Sequence, residues 1–149
     1  MSTTRYWVIV ASKNHVRHGV QAGVAQANHG KAAPLKRMSV GDRILYYSPK
    51  VEFGGDEQCQ SFTAIGTVSG DKIYSFDMGD GFIPYRRDVE YQDCAEVPIQ
   101  LLLPALTFIE NKSRWGYIFR FGFFEIPQVD FDLISAQMLG GKGAADGGF

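Results

Sequence analysis

No stretch of this chain approaches the roughly 18 consecutive apolar residues that a membrane-spanning helix needs. The N-terminus also lacks the charged-then-apolar form of a secretory signal. A soluble, cytoplasmic protein is expected. Cysteine is scarce: Cys59 and Cys94 show no CxxC spacing and have no histidine nearby in sequence. Reduced thiols are the expectation, with a bridge between the two as the alternative. There is no P-loop, GxSxG, HExxH or dinucleotide fingerprint, so no catalytic class announces itself. The most telling absence is local: from Ser12 to Arg37 there is no Asp or Glu.

That acid-free stretch, SKNHVRHGVQAGVAQANHGKAAPLKR, holds all three histidines and five of the fifteen Lys and Arg. Over residues 1–50 eight basic residues stand against one acid, Asp42; over 51–149 seven stand against fifteen. The formal net charge of −1 therefore conceals two parts of opposite sign. A basic third gathered on one face would attract an anion, above all a phosphate backbone. Otherwise the composition is that of one ordinary domain, with 149 residues, 45% apolar, and twenty aromatic side chains to fill a core. The domain is expected over residues 1–139, followed by a flexible Gly-rich tail over 140–149.

Tyr6–Ala11 reads as a buried strand, with Ser12 as N-cap of a helix from about Asn14 to Ala27. Val16, Gly19, Val20, Gly23, Val24 and Ala27 make a stripe of small apolar residues along it, suited to close approach to a sheet. Gly30 ends the helical region and Pro34 opposes its resumption. Strands follow at Arg43–Tyr47 and Ser61–Ser69, with a bulge or bend at Gly66 and a loop over Ser48–Gln60 between them. Phe82–Tyr91 and Ala95–Ile99 are two more strands, and Pro98–Leu106 a short buried helix. Trp115–Phe124 carries the strongest strand signal, before a last helix from Pro127 to Leu139 with Asp130 and Asp132 early. This order lacks regular β-α alternation and predicts an α+β fold, a strongly bent sheet or small open barrel flanked by helices.

The corner Ser12-Lys13-Asn14-His15 places polar side chains and backbone N–H groups at a helix N-terminus, which suits an anion or the edge of a ligand. Ser12 taken alone is a simple cap. Lys31, Lys36 and Arg37, taken alone, belong to a solvated loop, and Tyr46-Tyr47 and Trp115 to a core. Alternation nevertheless turns one of two adjacent strand aromatics outward or toward a cleft. Aromatics, polar groups and cations together would suit a nucleobase: stacking for the ring, hydrogen bonds for its edge, cations for flanking phosphates. His15, His18 and His29 have no carboxylate or cysteine beside them, so no metal site is read there, and no cofactor is called for.

Six ordered blocks then resemble one family. They are Tyr6–Val16 (YWVIVASKNHV), Gln26–Asp42 (QANHGKAAPLKRMSVGD), Ile44–Lys50 (ILYYSPK), Phe62–Val68 (FTAIGTV), Gly81–Tyr91 (GFIPYRRDVEY) and Arg114–Ile126 (RWGYIFRFGFFEI). The chain closely resembles the EVE domain family of the PUA-like superfamily, over about residues 5–139. The resemblance implies a curved, mostly antiparallel sheet closing into an open pseudo-barrel, with helices packed on it. Relatives include YTH domains, which read a methylated adenine, and base-flipping readers of modified cytosine. It thus implies recognition of a modified base in DNA or RNA. In that comparison Ser12, Lys13, Asn14 and His15 form one polar pocket wall, and Gln26, Asn28, His29 and Gly30 the second. Tyr47, Ser48 and Trp115 become stacking and rim candidates, and Lys31, Lys36, Arg37, Arg86 and Arg87 phosphate contacts. No tryptophan stands at the end of the first helix, as it does in YTH domains, which argues against a full aromatic cage.

The expectation is therefore a non-catalytic module that binds nucleic acid carrying a modified base, as monomer or homodimer, without a membrane partner. Two alternatives come from other classes: a nucleotide- or RNA-processing enzyme using His15 and His29, with Lys13 as phosphate clamp, and a sensor of free nucleobase or nucleoside.

Overall fold

The computed structural model describes residues 3–147, with side chains as far as Gly140. The expectation for the tail thus falls, beyond Gly140, outside the residues described with their side chains. Tyr6–Val10, aromatic or β-branched at every position, forms β1. Helix α1 (Lys13–Ala22) starts on Ser12, whose Oγ accepts the His15 N–H at 3.3 Å. It ends five residues before the expected Ala27. Gly23 takes φ 72°, and its N–H turns back onto the last helical carbonyls. Val24–Ala25 becomes β2, with the Tyr91 hydroxyl donating to the Val24 carbonyl at 2.8 Å.

A second correction follows at once. Pro34 lies inside a short helix, α2 (Ala32–Lys36), rather than opposing one. It sits in the first turn, where a helix has no use for the N–H that proline lacks. Then come β3 (Arg43–Lys50), β4 (Gln58–Ser75), β5 (Tyr85–Gln92), β6 (Val97–Pro98), β7 (Phe123–Ile126) and α3 (Gln128–Gly147). The expected loop over Ser48–Gln60 is shorter than read, because β3 and β4 both extend into it. The register runs unbroken through Gly66, which corrects the expected bulge; the shifts fall at Tyr46/Tyr47, Ser48/Lys50 and Val68/Ile73. Gly66 serves close approach instead, since a Cβ there would lie 2.7 Å from Val89 Cγ1 and 2.8 Å from the Glu90 carbonyl.

The sheet is open, in the order β2-β5-β4-β3-β1-β7, with β6 paired to β4. Only β1 and β3 run parallel among the described pairs, and α1, β2 and α2 form the crossover that a parallel pair requires. The expected α+β fold is observed. Both faces of the sheet are covered. Val8, Leu45, Tyr47, Phe62 and Ile65 meet Phe131, Ile134 and Met138 of α3 on one side. Trp7, Ile9, Ile44, Tyr46 and Ala64 meet Val16 and Leu35 on the other.

The largest departure is Trp115–Phe124. Its strand pattern yields 3-10 turns at Lys112–Arg114 and Tyr117–Phe121, and only Phe123–Ile126 is strand. Strand propensity measures fit to a half-buried pleated surface, so packing decides it. Here the turn drives Phe119 onto Tyr47, ring centroids 4.0 Å apart, and Gly122 leaves it at φ 76°. Pro98–Leu106 likewise forms two 3-10 turns, Ile99–Leu101 and Leu103–Ala105, in place of one helix.

Candidate functional site

A cleft of about 650 Å³ opens where β1 passes into α1, a size typical of small-molecule sites. Ser12 and His15 line it from the helix start, and Gln26, Ala27, Asn28, His29 and Gly30 line it from the segment after β2. Lys50–Gly54, except for Val51, contribute the turn beyond β3; Phe82, Phe119, Arg120 and Gly122 close the remaining sides.

Gln26 is its best-defined polar group. The Tyr46 hydroxyl donates to the Gln26 carbonyl at 3.0 Å and accepts its N–H at 3.2 Å, which clamps the backbone. Burial of that hydroxyl pushes the Tyr46 pKa up to about 12, so it remains a donor at any ordinary pH. The side chain is only 7% exposed, and its Oε1 is buried with no hydrogen-bond partner. Beyond it the backbone enters the left-handed region at Asn28 (φ 47°), His29 (φ 61°) and Gly30 (φ 85°). A Cβ on Gly30 would come within 2.4 Å of Pro84 Cβ, so this turn is pressed against the start of β5. Non-glycine residues in this conformation are strained by about 1–3 kcal/mol each and cluster at ligand sites.

Two rings stand at the mouth. Phe53 is 86% exposed, and His29 meets it edge to face with centroids 6.1 Å apart. Ser12 Oγ already accepts the His15 N–H, which leaves its hydroxyl proton for the cleft.

Comparison with known proteins now bears on this geometry. The family model described as EVE domain matches residues 5–137, most of the chain.

The chain belongs to the EVE domain family.

It is 51% identical over 128 residues to a UPF0310 protein in the gntR 5' region of Bacillus licheniformis, a match covering 86% of this chain and 87% of the relative. The UPF0310 protein msl3206 of Mesorhizobium japonicum is 51% identical over 143 residues, 95% of this chain and 96% of that one. Among solved structures, Rpa0253 of Rhodopseudomonas palustris superposes with a TM-score of 0.54 at 14% identity, covering 88% and 90% of the two chains. A hypothetical protein from Leishmania major gives 0.53 at 13%, covering 89% and 92%. These two share the fold, which is PUA-like as the resemblance implied, with the sheet left unclosed.

The cleft of this EVE domain gathers six of the candidate pocket residues: Ser12, His15, Gln26, Asn28, His29 and Gly30. Five others stand elsewhere. Lys13 pairs with Glu96 at 2.8 Å, and Asn14 Nδ2 donates to Glu52 at 3.2 Å. The helix N-terminus is also less open than expected, because the Asn14 N–H donates to the Val51 carbonyl. Tyr47 and Ser48 are 2% and 0% exposed; Tyr47 packs on Phe119, and Ser48 Oγ lies 2.8 Å from Thr63 Oγ1. Strand alternation does separate Tyr46 from Tyr47, but onto two covered faces. Trp115 packs on Phe119 and lines a different groove.

The phosphate candidates divide as sharply. Lys31, Lys36 and Arg37 are exposed, although the Arg37 guanidinium lies over Trp7 at 5.1 Å. Arg86 is buried, with its guanidinium 4.1 Å above Phe76. Arg87 is a structural residue: it donates to the carbonyls of Gly70, Leu35 and Met38 at 4% exposure. Missed were Phe53, Phe82 and Arg120. A phenylalanine beside the Gly54-Gly55 tip was the available signal, since a turn cannot bury such a ring.

Desolvation of the His15 ring lowers its pKa below the usual 6.5, and electrostatic repulsion from His18, Arg86 and His29 lowers it further. The folded protein thus binds this proton less readily than the unfolded chain. The resulting stability cost grows as pH falls through 6.5 and is fully developed below the folded pKa. An NMR titration should place the His15 midpoint below 6.5; a midpoint at or above it would show that the cleft leaves this ring hydrated.

Proposed function

We propose that this EVE domain is a cytoplasmic, non-catalytic module that binds nucleic acid by holding one modified base in the cleft. The observation that carries this reading is Gln26, a residue lining a cleft of base-accommodating size, whose buried Oε1 acceptor has no partner. Such an atom costs about 1–3 kcal/mol unless something donates to it. An amino or ring N–H group on a base edge is a fitting donor. The Ser12 hydroxyl supplies a donor, and the Phe53 and His29 rings at the mouth offer stacking faces. A base removed from its stack presents the face and edge that these groups fit. Lys31, Lys36 and Arg120 are exposed cations for the flanking phosphates.

The test titrates modified and unmodified oligonucleotides at two salt concentrations, with Gln26→Met alongside. The variant keeps the shape and removes the stranded oxygen, so it should fold at least as stably. Its affinity for the preferred oligonucleotide should fall about tenfold or more, a difference of roughly 1.4 kcal/mol. Equal affinity across the panel contradicts base reading. Turnover of any oligonucleotide that His29→Ala abolishes would favour an enzyme instead.

A further inference from the structure

A second groove lies on the far side of the Tyr117–Phe121 turn from the cleft. Trp115, Tyr117, Ile118 and Phe121 line it, and Arg114 stands at its edge. Tyr117 and Phe121 are 53% and 61% exposed, and their rings meet edge to face at 5.8 Å. The guanidinium groups of Arg114 and Arg120 lie 5.6 and 6.0 Å from the Tyr117 ring. The site is apolar in its faces, with Arg114 and Arg120 as cations beside the rings and Glu110 as the one acid among its lining residues.

Two further observations define its occupant. The first is charge. Residues 51–149 carry seven basic side chains against fifteen acidic, yet three of the seven, Lys112, Arg114 and Arg120, fall within nine residues here. The buried Arg86 and Arg87 supply nothing to solvent and the Lys112 ammonium donates to the Leu106 carbonyl, so Arg114 and Arg120 are the cations set beside the exposed rings. The second is continuity. The same turn gives Phe119, Arg120 and Gly122 to the cleft, and Tyr117, Ile118 and Phe121 to the groove. The cleft and the groove thus share this turn as a common wall, so a strand crossing it meets both.

We propose that this groove is a stacking platform for the nucleotide next to the one in the cleft, and that the protein therefore engages single-stranded nucleic acid. The proposal rests on the cleft reading. An unpaired base presents its face to Tyr117 or Phe121, Arg114 and Arg120 contact the phosphates on either side, and Arg120 bridges the two sites. A paired base in a duplex keeps its faces covered by its neighbours and cannot stack here. Aromatic stacking of this kind tolerates any base, so the platform adds affinity and strand selectivity but no sequence preference.

The test measures fluorescence anisotropy of a labelled single-stranded 12-mer carrying the preferred base, and of its blunt duplex. The proteins are wild type, Gln26→Met, and the double variant Tyr117→Ala/Phe121→Ala. Both altered rings of the double variant are exposed, and an unchanged thermal midpoint verifies its fold. It should lose about tenfold or more in affinity for the single strand. It should bind the corresponding mononucleoside as wild type does. Unchanged single-strand affinity in the double variant, with loss in Gln26→Met, overturns the platform and leaves the cleft reading standing. The reverse pattern overturns the cleft reading, and with it the pairing of groove and cleft proposed here. Wild-type preference for the duplex, or no binding to either form, overturns the proposal.

Discussion

Replacing Arg87 with alanine should lower the free energy of unfolding by about 3–5 kcal/mol, the range for breaking a buried charged network. The guanidinium is 4% exposed and donates from Nε to the Gly70 carbonyl at 2.8 Å and from Nη1 to the Leu35 carbonyl at 2.9 Å, with Met38 as its third acceptor. One side chain on β5 thus fastens the end of α2 and the register shift in β4, where the backbone of each leaves carbonyls unmatched. Burial lowers the pKa of this guanidinium, an effect partly countered by Asp42 and Asp71, and the residue stays charged. Truncation removes the donor to all three carbonyls at once, leaving the Leu35 carbonyl with the long bond from the Met38 N–H at 3.4 Å. Urea denaturation measures the change. A loss under about 1 kcal/mol would show that water or a shift of α2 satisfies those carbonyls, contrary to the role assigned here.

Asp130→Ala should cost about 3 kcal/mol, by the same accounting of stranded donors. This carboxylate is 1% exposed and accepts the Thr107 N–H at 2.8 Å, the Thr107 hydroxyl at 2.7 Å and the Phe108 N–H at 3.0 Å. In sequence it is an early acid of a helix, placed well for the helix dipole. Its larger role is to hold the start of α3 to the segment that follows Leu106. Thr107→Val removes one of the three bonds and should cost correspondingly less. If both variants unfold at the urea concentration of the wild type, the clamp is not a determinant of stability.

Both residues show what was legible in the chain and what was not. The α+β class, β1 and the Ser12 cap follow from short-range chemistry, namely strand propensity and capping, whereas the cleft residues Gln26, Asn28, His29 and Gly30 were implied by the family resemblance. Arg87 was read as a phosphate contact because a sequence pattern shows charge but not burial. Its partners Leu35 and Met38 lie about fifty positions away, and only the folded chain brings them within reach. Tyr47 failed as a rim residue for the same reason, since an aromatic strand residue serves a core or a cleft according to what covers that face, and Trp115 lies in a turn that faces the other groove. The helix that stops at Gly23 is a nearer miss. A glycine in an apolar stripe marks close packing or a C-cap alike, and here Gly19, 3.0 Å by its absent Cβ from the Val24 carbonyl, does the first while Gly23 does the second.

The central claim is that a base enters the cleft between Ser12 and Gly30 and donates to Gln26. Its most direct measurement is an NMR titration of labelled protein with the preferred oligonucleotide, following the backbone amides and the side-chain amides of Asn and Gln. The largest shifts should fall on the Gln26 side chain and on the backbone amides of Ser12, Asn28, His29 and Gly30, with smaller ones along the Tyr117–Phe121 turn. Shifts confined to the exposed segment Lys31–Arg37, with Gln26 unmoved at saturation, would contradict it.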